Sequence, residues 1–245
     1  MKQETYESYE NSPDTLRSAQ IIVPLVVRLV KPKSVIDLGC GTGEFLRVFR
    51  EQGVQDIFGV DGAWINREKL VIPTALFRST DLEKPLKMDR VFDLAVCLEV
   101  AEHLSPEVAD TFIGTLTNMA PVLLFSAAIP FQEGRHHVNE QWPEYWAALF
   151  RRRGYVPIDC FRRTLWNNND VSFWYAQNML LYVDQNLLER YAPLRKELER
   201  TEAHTLPMVH PRLYLPKAKK YDSFKKIFPA PIRNAISFLR RGSVN

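Results

Sequence analysis

The sequence predicts an α/β fold, a doubly wound and mostly parallel sheet of seven strands with a helix before it and a helical, basic extension after it. Three observations predict it. Between residues 34 and 183, short apolar runs alternate with stretches of helical periodicity, the pattern of parallel strands joined by crossover helices. The first run, Ser34 to Leu38, stops at Gly39-Cys40-Gly41-Thr42-Gly43, after which Phe45, Leu46, Val48 and Phe49 recur at helical spacing. Another run, Val91 to Leu98, is apolar almost throughout, as a strand covered on both faces has to be. A length of 245 residues suits one such domain with extensions better than two domains.

Ahead of the first strand, a helix is expected over about Thr15 to Val30. With Tyr6 and Tyr9 upstream, this segment is placed to cover a ligand pocket. The second strand, Ile57 to Val60, ends at Asp61 and leads into a helix from about Trp64 to Leu70. That helix is stopped before Pro73, because a proline disfavours helical backbone in the residue before it. A third strand, weaker in pattern, covers Ala75 to Arg78. After the fourth strand, Ser105-Pro106-Glu107 reads as a helix start, with serine as cap and proline where its missing N–H costs nothing; the helix runs to about Met119. Val122 to Ala127 is the fifth strand, Glu140 to Arg152 a helix ending before Gly154, Tyr155 to Cys160 the sixth strand and Phe173 to Val183 the seventh. Asp184 to about His204 reads as a charged helix, and Pro207, Pro211, Pro216, Pro229 and Pro231 break up the rest of the chain.

Hydrophobic residues at 46% and charged residues at 25% exclude a disordered chain and a fibrous repeat. The longest apolar stretches, Ile21 to Val30 and Val122 to Phe131, fall far short of the roughly 20 residues of a membrane span. Met1 to Glu7 lacks the basic, apolar and small-residue order of a signal peptide, and Cys40, Cys97 and Cys160 are odd in number without CxxC spacing. A reduced, cytoplasmic setting is expected. The net charge of +3 is uneven, since residues 217 to 245 hold eight basic residues against Asp222 alone, which makes +7 there and −4 elsewhere. An acidic body argues against a nucleic-acid groove, which must be basic to neutralise phosphates.

Glycines at 39, 41 and 43 between a strand and a helix allow a tight turn and a close ligand approach. Glu44 stands where a dinucleotide fingerprint needs its third glycine, and no GK[ST] ending marks a P-loop. A nicotinamide-dependent oxidoreductase is thereby disfavoured, the more so because the lone Tyr221-x-x-x-Lys225 pair lies in the tail. Asp61, 22 residues after Gly39, has the separation at which a carboxylate accepts both hydroxyls of a ribose, and Asp81 is placed to accept from an adenine amino group.

Val35-Ile36-Asp37-Leu38-Gly39-Cys40-Gly41-Thr42-Gly43, with Asp61, Asp81-Leu82 and Leu98-Glu99-Val100, resembles the S-adenosylmethionine-dependent methyltransferases of the seven-stranded, Rossmann-like class. The resemblance covers residues 34–183 and implies a cofactor-binding methyltransferase domain there with an antiparallel seventh strand, which leaves residues 1–33 as a cap segment and 184–245 as an extension. It implies that Asp37, Gly39, Cys40, Gly41 and Gly43 meet the methionine part, Asp61 the ribose, and Asp81 and Leu82 the adenine. Gly62 and Ala63 would flank the adenine ring, and Glu99 would lie near the cofactor.

A sulfonium methyl is already activated, so the protein has chiefly to align the acceptor and exclude water. A hydroxyl acceptor also needs its proton removed by a base or its acidity raised by a metal. Glu99-Val100-Ala101-Glu102-His103 follows the fourth strand and Arg135-His136-His137-Val138-Asn139-Glu140 the fifth, both at the ligand-binding edge of such a sheet. ExxEH with a later His-x-x-Glu resembles the metal-dependent small-RNA 2′-O-methyltransferases, which implies magnesium or manganese held by Glu99, Glu102, His103 and His137. A base role for His103, His136 or His137, with Glu140 beside them, and a purely structural role are the other two readings, and the sequence leaves all three open.

Asn139 to Trp146, with Leu149-Phe150 and Gly154-Tyr155, resembles a subgroup met in bacterial glycan and natural-product gene sets. Trp142, Tyr145 and Trp146 would stack on a sugar or fill the core, and Trp166 to Asp170 would line the acceptor pocket or form a polar turn. In the tail, Phe224, Phe228, Ile232, Ile236 and Leu239 interleave with basic residues, a pattern that suits an anionic membrane surface, a nucleic acid, a protein partner or plain solvent. The expectation is a methyltransferase acting on oxygen of a sugar-containing or other small metabolite. Its rivals are an RNA 2′-O-methyltransferase and a non-catalytic cofactor-binding subunit of a glycan-synthesis complex.

Overall fold

The computed structural model describes residues 13–227. Expectations placed on Tyr6, Tyr9 and residues 228–245 lie outside them. The chain divides into two compact units, Met1–Met208 and Val209–Asn245.

The first unit is a three-layer α/β structure. Its elements run α1 (Pro13–Val30), β1 (Ser34–Leu38), α2 (Glu44–Glu51), β2 (Asp56–Asp61), β3 (Phe77–Ser79), β4 (Leu94–Leu98), α3 (Ala109–Thr117), β5 (Val122–Ser126), α4 (Pro143–Arg151), β6 (Tyr155–Ile158), α5 (Arg162–Leu165), α6 (Phe173–Asn178), β7 (Leu180–Asp184) and α7 (Ala192–Glu199). The sheet order is β3-β2-β1-β4-β5-β7-β6. β7 pairs antiparallel with both β5 and β6, and the remaining pairs are parallel.

Successive strand residues point to opposite faces, so the apolar runs supply two cores. Val35, Leu94, Val96, Val122 and Leu124 pack with α1, α2 and α6, while Ile36, Leu38, Ala95, Cys97, Leu123 and Phe125 pack with α3 and α4. Arg162, wholly buried, binds Asp159 at 2.7 Å and donates to the carbonyls of Thr205 and Leu206 at 3.0 and 2.7 Å, which fastens the end of the unit to the sheet.

Several elements differ from expectation. The helix read over Trp64 to Leu70 is only a 3-10 turn, Arg67–Lys69, because the Asn66 side chain caps it by accepting from Glu68 N at 2.9 Å and Leu70 returns to extended backbone. The first half of the expected seventh strand is α6. Its aromatics favour a strand locally, but Tyr175 and Ala176 pack into the core from a helical turn, and Ser172 N, just ahead of it, donates to Ser18 Oγ of α1. The helix read from Ser105 to Met119 splits into a 3-10 turn and α3, and the segment from Asp184 to His204 splits around Tyr191. In the second unit, α8 (Pro211–Ile227) continues through Pro216, one of the prolines expected to break up this segment, losing one backbone hydrogen bond. Among the described residues no helix is long and apolar enough to cross a membrane.

Candidate active site

The carboxyl ends of the parallel strands open into a cavity of about 540 Å³, where ligands of such sheets bind. Asp37, Gly39, Cys40 and Gly41 enter it from β1, Asp61 from β2, Leu98 and Glu99 from β4, Gln132 and His137 from the loop after β5, and Trp174 and Tyr175 from α6. Thr15 of α1 reaches the same space.

The glycine loop owes its shape to backbone conformations that side chains resist. Gly39 has φ +80°, and a Cβ there would stand 2.3 Å from Val100 Cγ2, so glycine alone lets the two turns touch. Gly39 N and Cys40 N both donate to Val60 O, at 2.7 and 3.2 Å. Asp61 locks the loop from the other side, accepting from Gly41 N at 2.7 Å and from Gly62 N at 2.6 Å.

The wall is acidic. Burial, then the charges of Asp61 and Glu44, hold the Asp37 carboxyl well above the usual range. Burial pushes Asp61 up to about 6, against the opposing N–H groups of Gly62 and Gly41 and the Trp64 side chain. A ligand bearing positive charge relieves this cost, which makes the cavity suited to a sulfonium and an ammonium group.

The family described as methyltransferase domain matches residues 9–169. The chain belongs to this family. The methyltransferase is similar in fold to Streptomyces venezuelae DesVI (TM-score 0.54, 14% identity, 74% of this chain and 97% of that one). It is similar also to an O-methyltransferase family protein from Burkholderia thailandensis (0.51, 16%, 70% and 57%) and to the methyltransferase domain of bacterial CtHen1-C (0.50, 20%, 68% and 97%). No curated protein matches it. The methyltransferase uses S-adenosylmethionine, and the acid-lined, glycine-floored cavity fits that cofactor.

Beyond the glycine loop the methyltransferase gathers Glu102, His103 and His137, each offering a ligand atom within 4.8 Å of the others. Val138 N and Asn139 N donate to Glu102 O at 2.9 and 3.0 Å, which docks the loop after β5 on the turn after β4. His137 thereby meets His103 edge-on, with ring centroids 4.8 Å apart. Its Nδ1 lies 2.8 Å from Glu140 Oε1, and Glu140 also accepts from Phe131 N and Glu133 N at 2.8 and 2.7 Å. Gly134 packs against the His137 ring so closely that a Cβ would stand 2.1 Å from Nε2. Glu102 is fully buried, and among the described residues no side chain donates a hydrogen bond to its carboxylate. Burial and the charge of Glu99 hold its carboxyl well above the usual range, against the opposing backbone N–H groups of Glu102 and Ala128. Burial and His137 push His103 down to about 4, so it is neutral at pH 7.

Glu99 stands outside this trio, held by Asn178 and Gln132. His136 and Glu140 do not line the cavity, nor do Gly43, Gly62 and Ala63. Trp64, which packs over Gly62, and Ile65 line it instead, two residues further along the same loop. Asp81 lies at the rim with Leu82 and Glu83, its Oδ1 accepting from Glu83 N at 3.0 Å. Trp146 is buried against Phe125 as core, whereas Trp142 is exposed, and Trp166 to Asp170 stay off the cavity wall. The amides Gln132, Gln177 and Asn178 escape sequence reading because isolated amides carry no spacing signature.

Proposed function

We propose that the methyltransferase methylates a hydroxyl oxygen of a small, sugar-like metabolite, with acceptor activation at Glu102, His103 and His137. One observation carries this reading: a buried carboxylate with no side-chain hydrogen-bond donor among the described residues, beside two imidazoles, in the cavity that also holds the glycine loop. Such a carboxylate is costly unless it meets a proton or a cation. Two imidazole nitrogens and one carboxylate oxygen suit a divalent transition ion such as manganese better than magnesium, which prefers oxygen alone. When bound, the ion raises the acidity of an acceptor hydroxyl.

The chain's own residues do the rest. Asp37 and the Gly39 to Gly41 backbone take the cationic methionine end of the cofactor, Asp61 the ribose, and Asp81 and Leu82 the adenine. Glu140 fixes the His137 ring, and the walls from α1 and α6 exclude water from the line of methyl transfer. The test is methyl transfer from S-adenosylmethionine to a panel of hydroxylated, amine and RNA acceptors, with and without chelator. Activity lost on chelation and restored by manganese is the expected result. Full activity in excess chelator refutes the metal role, and transfer confined to RNA refutes the acceptor class.

A further inference from the structure

The cavity holds a second polar cluster, apart from the trio. Glu99 leaves β4 with φ +55°, a left-handed conformation unusual outside glycine, and is held there by its N–H donating to Ser126 O and Oγ at 3.0 and 3.1 Å. Its carboxylate is clamped by two amides. Gln132 Nε2 donates to Oε2 at 2.9 Å, and Asn178 Nδ2 to Oε1 at 3.1 Å. The clamp is itself braced, because Gln132 Oε1 accepts from Asn178 Nδ2 at 3.0 Å and from Gln177 Nε2 at 3.1 Å, while Asn178 Oδ1 accepts from Gln177 Nε2 at 2.8 Å. Gln177 and Asn178 are buried, whereas Glu99 and Gln132 reach the cavity wall.

Counting donors and acceptors shows what this arrangement offers. Both hydrogens of Asn178 Nδ2 and both of Gln177 Nε2 have acceptors within the cluster, and Gln132 Oε1 is filled twice. With the Ser126 hydroxyl also on the Glu99 carboxylate, what remains on these two cavity-lining residues is the second hydrogen on Gln132 Nε2 and the last of about four lone-pair sites of the carboxylate. A donor and an acceptor 2.9 Å apart match a group that is both at once. A hydroxyl is such a group. An ammonium has no lone pair to accept with, and a carboxylate has no hydrogen to give.

We propose that Glu99 and Gln132 form a subsite for a second hydroxyl of the acceptor, with Asn178 and Gln177 as positioning residues. The acceptor is therefore a diol or polyol, one hydroxyl at the trio and another read by the Glu99–Gln132 pair. This inference rests on the reading that the reaction methylates a hydroxyl.

The test uses the full chain, methyl glycosides carrying a vicinal diol, and their monodeoxy counterparts. Wild type is expected to favour the diol by tenfold or more in kcat/KM, since a site built to bond a hydroxyl discriminates against its absence. Gln132→Met should bring the diol down toward the deoxy level, chiefly through KM, so that the diol-to-deoxy ratio in kcat/KM collapses toward one. Asn178→Leu, similar in size but lacking both hydrogens that Asn178 Nδ2 donates, should do the same, so a failure of one variant to fold leaves the other to decide. Equal losses on both glycosides, or no diol preference in wild type, overturn the subsite. Wild-type turnover of amines or carboxylates and of no hydroxyl overturns the underlying reading instead.

Discussion

The contact between Gly39 and Val100 can be tested as a double-mutant cycle. Gly39→Ala places a methyl 2.3 Å from Val100 Cγ2 and 3.0 Å from Cγ1, on a residue whose φ is +80°. The left-handed backbone costs an alanine about 1–2 kcal/mol, and the overpacking adds about 1–3 kcal/mol. A total loss of about 2–5 kcal/mol is therefore expected, a large share of the stability of an ordinary domain. Val100→Ala removes both clashing methyls and leaves Cβ, at 3.2 Å from the new methyl, as the nearest atom, a distance that a small shift relieves. In the double variant the overpacking should vanish while the backbone strain stays. The cycle should then show a favourable coupling of about 1–3 kcal/mol. Urea unfolding of the four proteins measures it, and S-adenosylhomocysteine calorimetry should show affinity falling in the single Gly39 variant and partly recovering in the pair. Additivity within about 0.5 kcal/mol would refute the argument that the two turns are in hard contact.

Asp61 makes a prediction with a definite sign. With a carboxyl pushed up to about 6, the native state keeps a proton that the unfolded chain loses near its ordinary value, so this group subtracts stability as pH rises from about 4 to 6. Asp61→Asn should gain on wild type by up to about 3 kcal/mol across that window and hold a constant difference above it, measured by urea titration at each pH. Equal pH slopes for the two proteins would contradict it. Gly134→Ala should push the His137 ring away from a methyl only 2.1 Å from Nε2, disturb its contact with Glu140, and weaken manganese binding about 10- to 100-fold at unchanged S-adenosylhomocysteine affinity. Electron paramagnetic resonance of manganese reads the first quantity, and wild-type manganese affinity in this variant would sink the placement of His137 in the site.

Much of this architecture is legible in sequence because its causes are local. The strand ending at Gly39, the turn that needs glycine at 39, 41 and 43, and the acid ending β2 announce themselves by pattern. α6 does not, because Phe173 to Tyr175 prefer a strand by composition and become helical only where Tyr175 meets the core. The trio is half visible. ExxEH and the later histidine mark the right loops, but which of the two glutamates faces the histidines depends on Asn178 and Gln132, 79 and 33 residues away from Glu99. Nothing in the spacing of isolated amides reveals a clamp of that kind.

The place of β7 between β5 and β6 bears on how the protein is made. During synthesis the edge of β5 stays open until residues 180 to 184 have left the ribosome, and β6, though already made, has no strand to join. An apolar edge is thus exposed for the interval in which about sixty further residues are translated, a window for mispairing between nascent chains. Gln177 and Asn178 immediately precede that last strand, so the wall that holds Glu99 is completed only when the sheet closes. A chain cut short before β7 carries the glycine loop, both histidines of the trio and the amides of the Glu99 clamp, yet lacks the strand that seals the sheet behind them.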